Sequence, residues 1–257
     1  MNGAMDIGAV ALRAQQRALD TIANNVANVN TPTYKRVDTT FSEVMGRQIQ
    51  PVSQTALLAA QEMLPAGGVR FSPQEMLFQQ GEIRTTGNRL DLAIDGAGFI
   101  ELLGPDGQLL LWRGGRLKLL EDGMLASDSG HALRANIVVP DDATNLTITA
   151  EGVVKADLPE TKGAELGQIA LVRVATEGDV ERLDRGLYRP ADDARLIDAR
   201  PGEDGAGLFA QERVENSNVQ LTEEMVDLLT VQRAFAASAQ IVQAADQLAG
   251  ITNSLKR

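Results

Sequence analysis

Two apolar seams with a seven-residue period, one near each end of a 257-residue chain, limit the folds available to it. Met5, Leu12, Leu19 and Val26 recur every seventh residue, and Ile22 and Val29 add the neighbouring seam position. Arg13, Gln15, Gln16, Arg17 and Asp20 supply a polar outer face, and neither glycine nor proline interrupts the stretch from Ala9 to Val29. Asn30-Thr31-Pro32 predicts its end, because the residue before a proline is pushed out of the helical region.

The other end is longer. Leu221, Met225, Leu228, Val231, Phe235, Ser238, Val242, Ala245, Leu248 and Leu255 follow one another at spacings of three, four or seven and trace one face. Ser217-Asn218-Val219-Gln220 resembles a capping box. Glu223 and Glu224 lie near the N-terminus and Lys256 and Arg257 at the C-terminus, each sign favoured by the helix dipole. At about 1.5 Å per residue the helices extend roughly 35 and 50 Å. Their apolar faces require cover, from each other or from other copies of the chain.

Between them the pattern changes. Short apolar runs at 90–94, 99–103, 109–112, 137–139, 146–148 and 169–174 alternate with turn signals. Pro105-Asp106-Gly107, Glu121-Asp122-Gly123 and Asp128-Ser129-Gly130 place glycine where hairpin turns need a positive φ. Strands so short and closely spaced predict an antiparallel sandwich or barrel-like domain. The expected fold class is α+β. Its parts are an N-terminal helix (1–32), a linker or extended arm (33–66), a β-rich domain (67–207) and a C-terminal helical segment (208–257).

Composition narrows function. A net charge of -11 argues against nucleic acid, whose phosphates demand basic patches, and against anionic membrane surfaces. With no cysteine and one histidine, His131, thiolate chemistry and histidine-rich zinc sites are excluded. Ser127, Asp128, Ser129 and His131 fall within five residues and lack a nucleophile elbow, so they read as a turn and not a triad. Gly96-Ala97-Gly98 and the 202–207 glycine cluster lack the spacing and the lysine of phosphate loops. Asp141-Asp142 and Asp192-Asp193 lack calcium-loop spacing, and Trp112 reads as a core residue. Two tyrosines and one tryptophan are too few for an aromatic-lined ligand surface. No catalytic residue, cofactor, metal or small-molecule substrate is expected. The N-terminus has no basic, apolar leader of the secretory kind, and no apolar run reaches the roughly 18 residues that span a bilayer.

Three stretches carry a resemblance. Ile22-Ala23-Asn24-Asn25-Val26-Ala27-Asn28-Val29-Asn30-Thr31 with Tyr34-Lys35-Arg36 resembles the N-terminal signature of the bacterial flagellar basal-body rod and hook protein family. Glu223-Glu224-Met225-Val226-Asp227-Leu228 with Gln232-Arg233-Ala234-Phe235 is similar to its C-terminal signature, and the stretch from Gln80 through Phe99 to the segment its rod and hook members share. Residues 140–148 point to the distal-rod branch, with a proximal-rod paralogue as the alternative. One departure stands out: the family's Thr-Thr-Gly-Phe is replaced by Thr31-Pro32-Thr33-Tyr34, without the glycine.

The resemblance implies a structural subunit, not an enzyme. Its terminal helices would pair as a coiled-coil-like core module around a channel, with the β domain outside. The implied interface comprises Leu12, Leu19, Ile22, Val26, Leu228, Val231, Phe235, Val242 and Leu248, with Asn24, Asn25 and Asn28 as amide cross-links between crowded helices. The implied partners are further copies in a helical homopolymer, other rod proteins, the hook protein and surrounding ring proteins. The implied location is the periplasm-spanning basal body, reached by type III export without a cleaved signal peptide.

Overall fold

The computed structural model describes residues 2–44, 68–183, 186–203 and 205–254. Two helices flank a large antiparallel β region, so the class is α+β. The chain forms two compact units: a helical one from Met1–Ala27, Val37–Gln74 and Gln220–Arg257, and a β unit from Asn28–Arg36 and Glu75–Val219.

In the helical unit, α1 covers Asn2–Ala27 and α2 covers Leu221–Ser254. The second begins where Glu223 and Glu224 enrich its first turn in negative charge, and their N–H groups donate to the Gln220 carbonyl at 3.0 and 3.1 Å. Residues 208–215, which the sequence assigned to the C-terminal helical segment, instead hold two strands. β1 (Val37–Val44) pairs with β2 (Gly68–Glu75), so part of the expected arm is sheet. The arm's residues 45–66 lie outside the described residues, as do Gly67 and Leu255.

The β unit contains, in chain order, β3 (Ile83–Thr85), β4 (Asp91–Asp95), β5 (Phe99–Leu103), β6 (Leu109–Trp112), β7 (Gly114–Leu119), β8 (Leu125–Ser127) and β9 (Ala132–Leu133). There follow β10 (Asn145–Ile148), β11 (Val153–Asp157), β12 (Ala164–Gln168), β13 (Leu171–Val174), β14 (Val180–Arg182), β15 (Leu187–Pro190), β16 (Leu196–Ala199), β17 (Leu208–Gln211) and β18 (Arg213–Glu215). Among the described residues, 11 strands join one sheet along the path β14-β15-β6-β5-β9-β8-β7-β4-β17, with β13 attached to β5 and β16 to β13. β10, β11 and β12 form a separate sheet, and β18 pairs with β3.

Side-chain alternation decides which core each residue of the central strands enters. Ile100 and Leu102 of β5, with Leu110 and Trp112 of β6, join the larger apolar cluster. Phe99, which precedes Ile100, and Leu111, between Leu110 and Trp112, join a second cluster with Leu77, Val172, Val174 and Tyr188. β5 is therefore buried on both faces, and β6, β9 and β13 all pair with it. The turn glycines have the conformation their positions demand: φ is 76° at Gly107, 77° at Gly123 and 87° at Gly130. The run at 137–139 does not form a strand; Val138 makes only an isolated bridge to Met124.

Candidate assembly interface

α1 and α2 run antiparallel and meet along a row of mostly small or polar side chains. Gly8 faces Val242, where an added methyl would collide with Cγ2 of the valine. Gln15 Nε2 donates to Ser238 Oγ at 3.0 Å, and Asn25 Nδ2 donates to Glu224 Oε2 at 3.2 Å. The row on α1 is Gly8, Ala11, Gln15, Ala18, Ile22 and Asn25, with Ala14 buried beside it. On α2 it is Glu224, Leu228, Val231, Ser238, Val242 and Ala245. Steps of three and four residues keep each row on one side of its helix.

The seam predicted for α1 is thus shifted. Leu12, Leu19 and Val26 are half-buried and flank the contact, while Ala18 lies within it and Ala14 is buried beside it. Alanine leaves room for the backbones to approach, and a leucine there would hold them apart. Of the predicted residues, Ile22 is buried and central, and Leu228, Val231 and Val242 are half-buried in the α2 row. Phe235 stands in the same row but is 37% exposed. Leu221, Met225 and Leu248, expected on that face, are exposed. So are Val226, Leu229, Ile241 and Ile251, which lie off it. The apolar surface of α2 is therefore not a single stripe.

The asparagines divide. Asn25, 1% exposed, grips β1 in both directions: Nδ2 donates to the Val37 carbonyl at 2.9 Å and Oδ1 accepts the Val37 N–H at 3.0 Å. A further bond from Nδ2 reaches Glu224, itself 0% exposed. Asn28 accepts from Thr31 Oγ1 and so shapes the turn after α1, while Asn24 lies on the exposed side of the helix. Glu224 was not singled out for the seam. Its carboxylate reads from sequence as a dipole partner at the helix start, and only the position of Asn25, 199 residues away, makes it a buried acceptor.

The hydrolase-like cluster is a turn. Ser127 is buried and its Oγ accepts the His131 N–H at 3.3 Å, while its carbonyl accepts the Gly130 N–H at 2.8 Å.

Three family models match the chain: "Flagella basal body rod protein" over residues 5–35, "Flagellar hook protein FlgE/F/G D1 domain" over 93–156, and "Flagellar basal body rod FlgEFG protein C-terminal" over 210–255. The flagellar basal-body rod protein FlgG of Agrobacterium fabrum is 33% identical over 97% of this chain and 98% of its own length. The chain belongs to the flagellar basal-body rod protein family. Its FlgG relative from Borreliella burgdorferi is 31% identical across 100% of both chains. The flagellar hook protein FlgE of Rhizobium meliloti is 30% identical over 84% of this chain but only 52% of the hook protein. The rod and C-terminal models fall on α1 and α2, so the family's matched ends include the small-residue row just described.

Proposed function

We propose that this rod-family chain is a structural subunit of the distal rod of the bacterial flagellum, polymerising through its terminal helices into a hollow helical shaft. The full-length similarity to FlgG proteins supports the distal position. The observation that carries the assembly reading is the apolar surface that α2 leaves uncovered. Its contact row uses Leu228, Val231 and Val242 beside Glu224 and Ser238, while Met225, Val226, Leu229, Ile241, Leu248 and Ile251 face out, each more than half exposed. Fully covering one such side chain contributes about 1.5–3 kcal/mol. A row of them on an otherwise charged chain fits a surface meant to meet sister copies.

In this reading α1 and α2 form a coiled-coil-like inner module. Leu12, Leu19, Val26, Phe235 and Leu248, which flank or leave the intrachain contact, meet neighbouring copies. Contacts whose rotation does not close generate an open helical filament. The role is mechanical and not catalytic: the polymer transmits torque and leaves a lumen for export. The chain would lie in the periplasm-spanning basal body between other rod proteins, the hook and the surrounding rings, after type III export without signal-peptide cleavage.

The test is assembly of purified chain carrying Val226→Asp with Leu229→Asp. Tubes seen by negative-stain microscopy for the unaltered protein disappear, while circular dichroism of dilute chain stays unchanged. Tubes that persist with both aspartates present would overturn the helical interface.

A further inference from the structure

Residues Asn28–Arg36 form a strap on the β unit, although the stretches on either side of it in sequence belong to the helical unit. Its backbone is held along its length. The Thr33 N–H donates to the Glu215 carbonyl at 2.8 Å, and the Tyr34 carbonyl accepts the Asn218 N–H at 3.4 Å. The Arg36 N–H donates to Asn218 Oδ1 at 2.6 Å, and the Arg36 carbonyl accepts the Met76 N–H at 2.9 Å. From the other side, the Arg182 guanidinium lies 4.0 Å from the centre of the Tyr34 ring and donates to the Lys35 carbonyl at 3.1 Å.

Beneath the strap lies a buried ion cluster. Lys35 Nζ is 2.6 Å from Glu215 Oε1 and 2.8 Å from the Gln79 carbonyl. Glu215 Oε1 also accepts the Gly81 N–H at 2.9 Å, and Oε2 accepts Arg113 Nε at 2.9 Å. Arg113 donates further to the carbonyls of Gly98 and Gly96. Gly81 has no room for a side chain: an added methyl would collide with the Asn216 carbonyl.

The cluster is asymmetric. Arg113 and Glu215 keep each other, and the Gly81, Gly96 and Gly98 backbone groups, whether or not Lys35 is present. Lys35 is the strap side chain bonded to Glu215, and burial pushes its amine pKa down, a loss of hydration that its ammonium recovers on returning to water. When Lys35 leaves, Glu215 keeps the Arg113 guanidinium and the Gly81 N–H, so its carboxylate is not left without a partner. We propose that Asn28–Arg36 is a releasable latch, which lifts from the β unit as one cooperative piece with Lys35 while Glu215, Arg113 and Gly81 remain assembled. This inference is independent of the polymer.

Native-state hydrogen exchange on the full chain in dilute solution tests it, resolved to single amides along a series of low denaturant concentrations. The Thr33, Arg36, Met76 and Asn218 amides exchange together, at least tenfold faster than those of β5 and β6, with weak denaturant dependence. The Gly81 amide stays with the slower group. In Lys35→Ala the strap amides exchange at least tenfold faster again, and β5, β6 and Gly81 do not change. Strap amides that share the rate and denaturant dependence of β5 and β6, or that differ widely among themselves, overturn the latch. If Lys35→Ala does not fold, the denaturant series on the unaltered chain decides alone.

Discussion

The side-chain amide of Asn25 and the carboxylate of Glu224 meet 3.2 Å apart in the buried row between α1 and α2, and the same amide closes two bonds on Val37. One side chain thus ties both long helices to the start of β1. Substituting alanine leaves two backbone groups and a carboxylate short of a partner, each costing about 1–3 kcal/mol where water cannot enter. Asn25→Ala is expected to lower the stability of the helical unit by roughly 2–4 kcal/mol, read as faster amide exchange along α1. Asn25→Asp sets two carboxylates against each other. Its defect should shrink as the pH falls and the pair takes up a proton.

Thr33 occupies left-handed backbone space, with φ at 60°. This is the position where the family pattern has glycine and this sequence does not. A β-branched residue there carries strain of about 1–2 kcal/mol, partly offset by the lower entropy of its unfolded chain. Thr33→Gly should raise the stability of the β unit by about 1 kcal/mol in urea unfolding. Gly186 packs against Thr33 so closely that a methyl would strike its hydroxyl and Cβ. Gly186→Ala should therefore cost less in the Thr33→Gly background than alone, a coupling that a double-mutant cycle measures.

Tyr188 is 0% exposed, and its hydroxyl has no hydrogen-bond partner among the described residues. Burial pushes its pKa up, with Glu75 and Glu215 adding to the effect and Arg182 and Arg113 opposing it. In the folded chain the phenol thus keeps its proton above the ordinary value of about 10. Below that pH the contribution to stability is constant; above it the unfolded chain loses the proton first, and stability falls by up to about 1.4 kcal/mol per pH unit. Tyr188→Phe should remove that alkaline slope. At neutral pH it should also stabilise by about 1 kcal/mol, since no bond is lost and an unsatisfied hydroxyl goes. Comparing thermal melts of the two proteins at pH 7 and pH 11 checks both effects, and the opposite tendency of buried Lys35 cancels in the difference.

The sequence was most informative where one residue's chemistry decides its own conformation. Gly107, Gly123 and Gly130 marked real turns, and β5 and β6 lie where the apolar runs end against them. It was less informative where packing decides. The helix contact was sought at leucines and valines, and Ile22, Leu228, Val231 and Val242 do lie in it, but Gly8 and Ala18, which allow the backbones to come close, have no apolar signal of their own. β7 carries glycine, arginine and lysine among its apolar residues, so periodicity alone gave it no signal. Lys35, Arg113 and Glu215 were unreadable as a cluster. Nothing local in a lysine, an arginine and a glutamate separated by 78 and 102 positions distinguishes buried partners from solvated charges.

β5, committed on both faces and bonded to three neighbours, leaves the β unit no gentle way to give under load. Sliding that strand by one residue would exchange Phe99 and Ile100 between two differently shaped interiors and misalign three ladders at once. A one-residue slip of that strand is therefore closed to the β unit as a way of yielding.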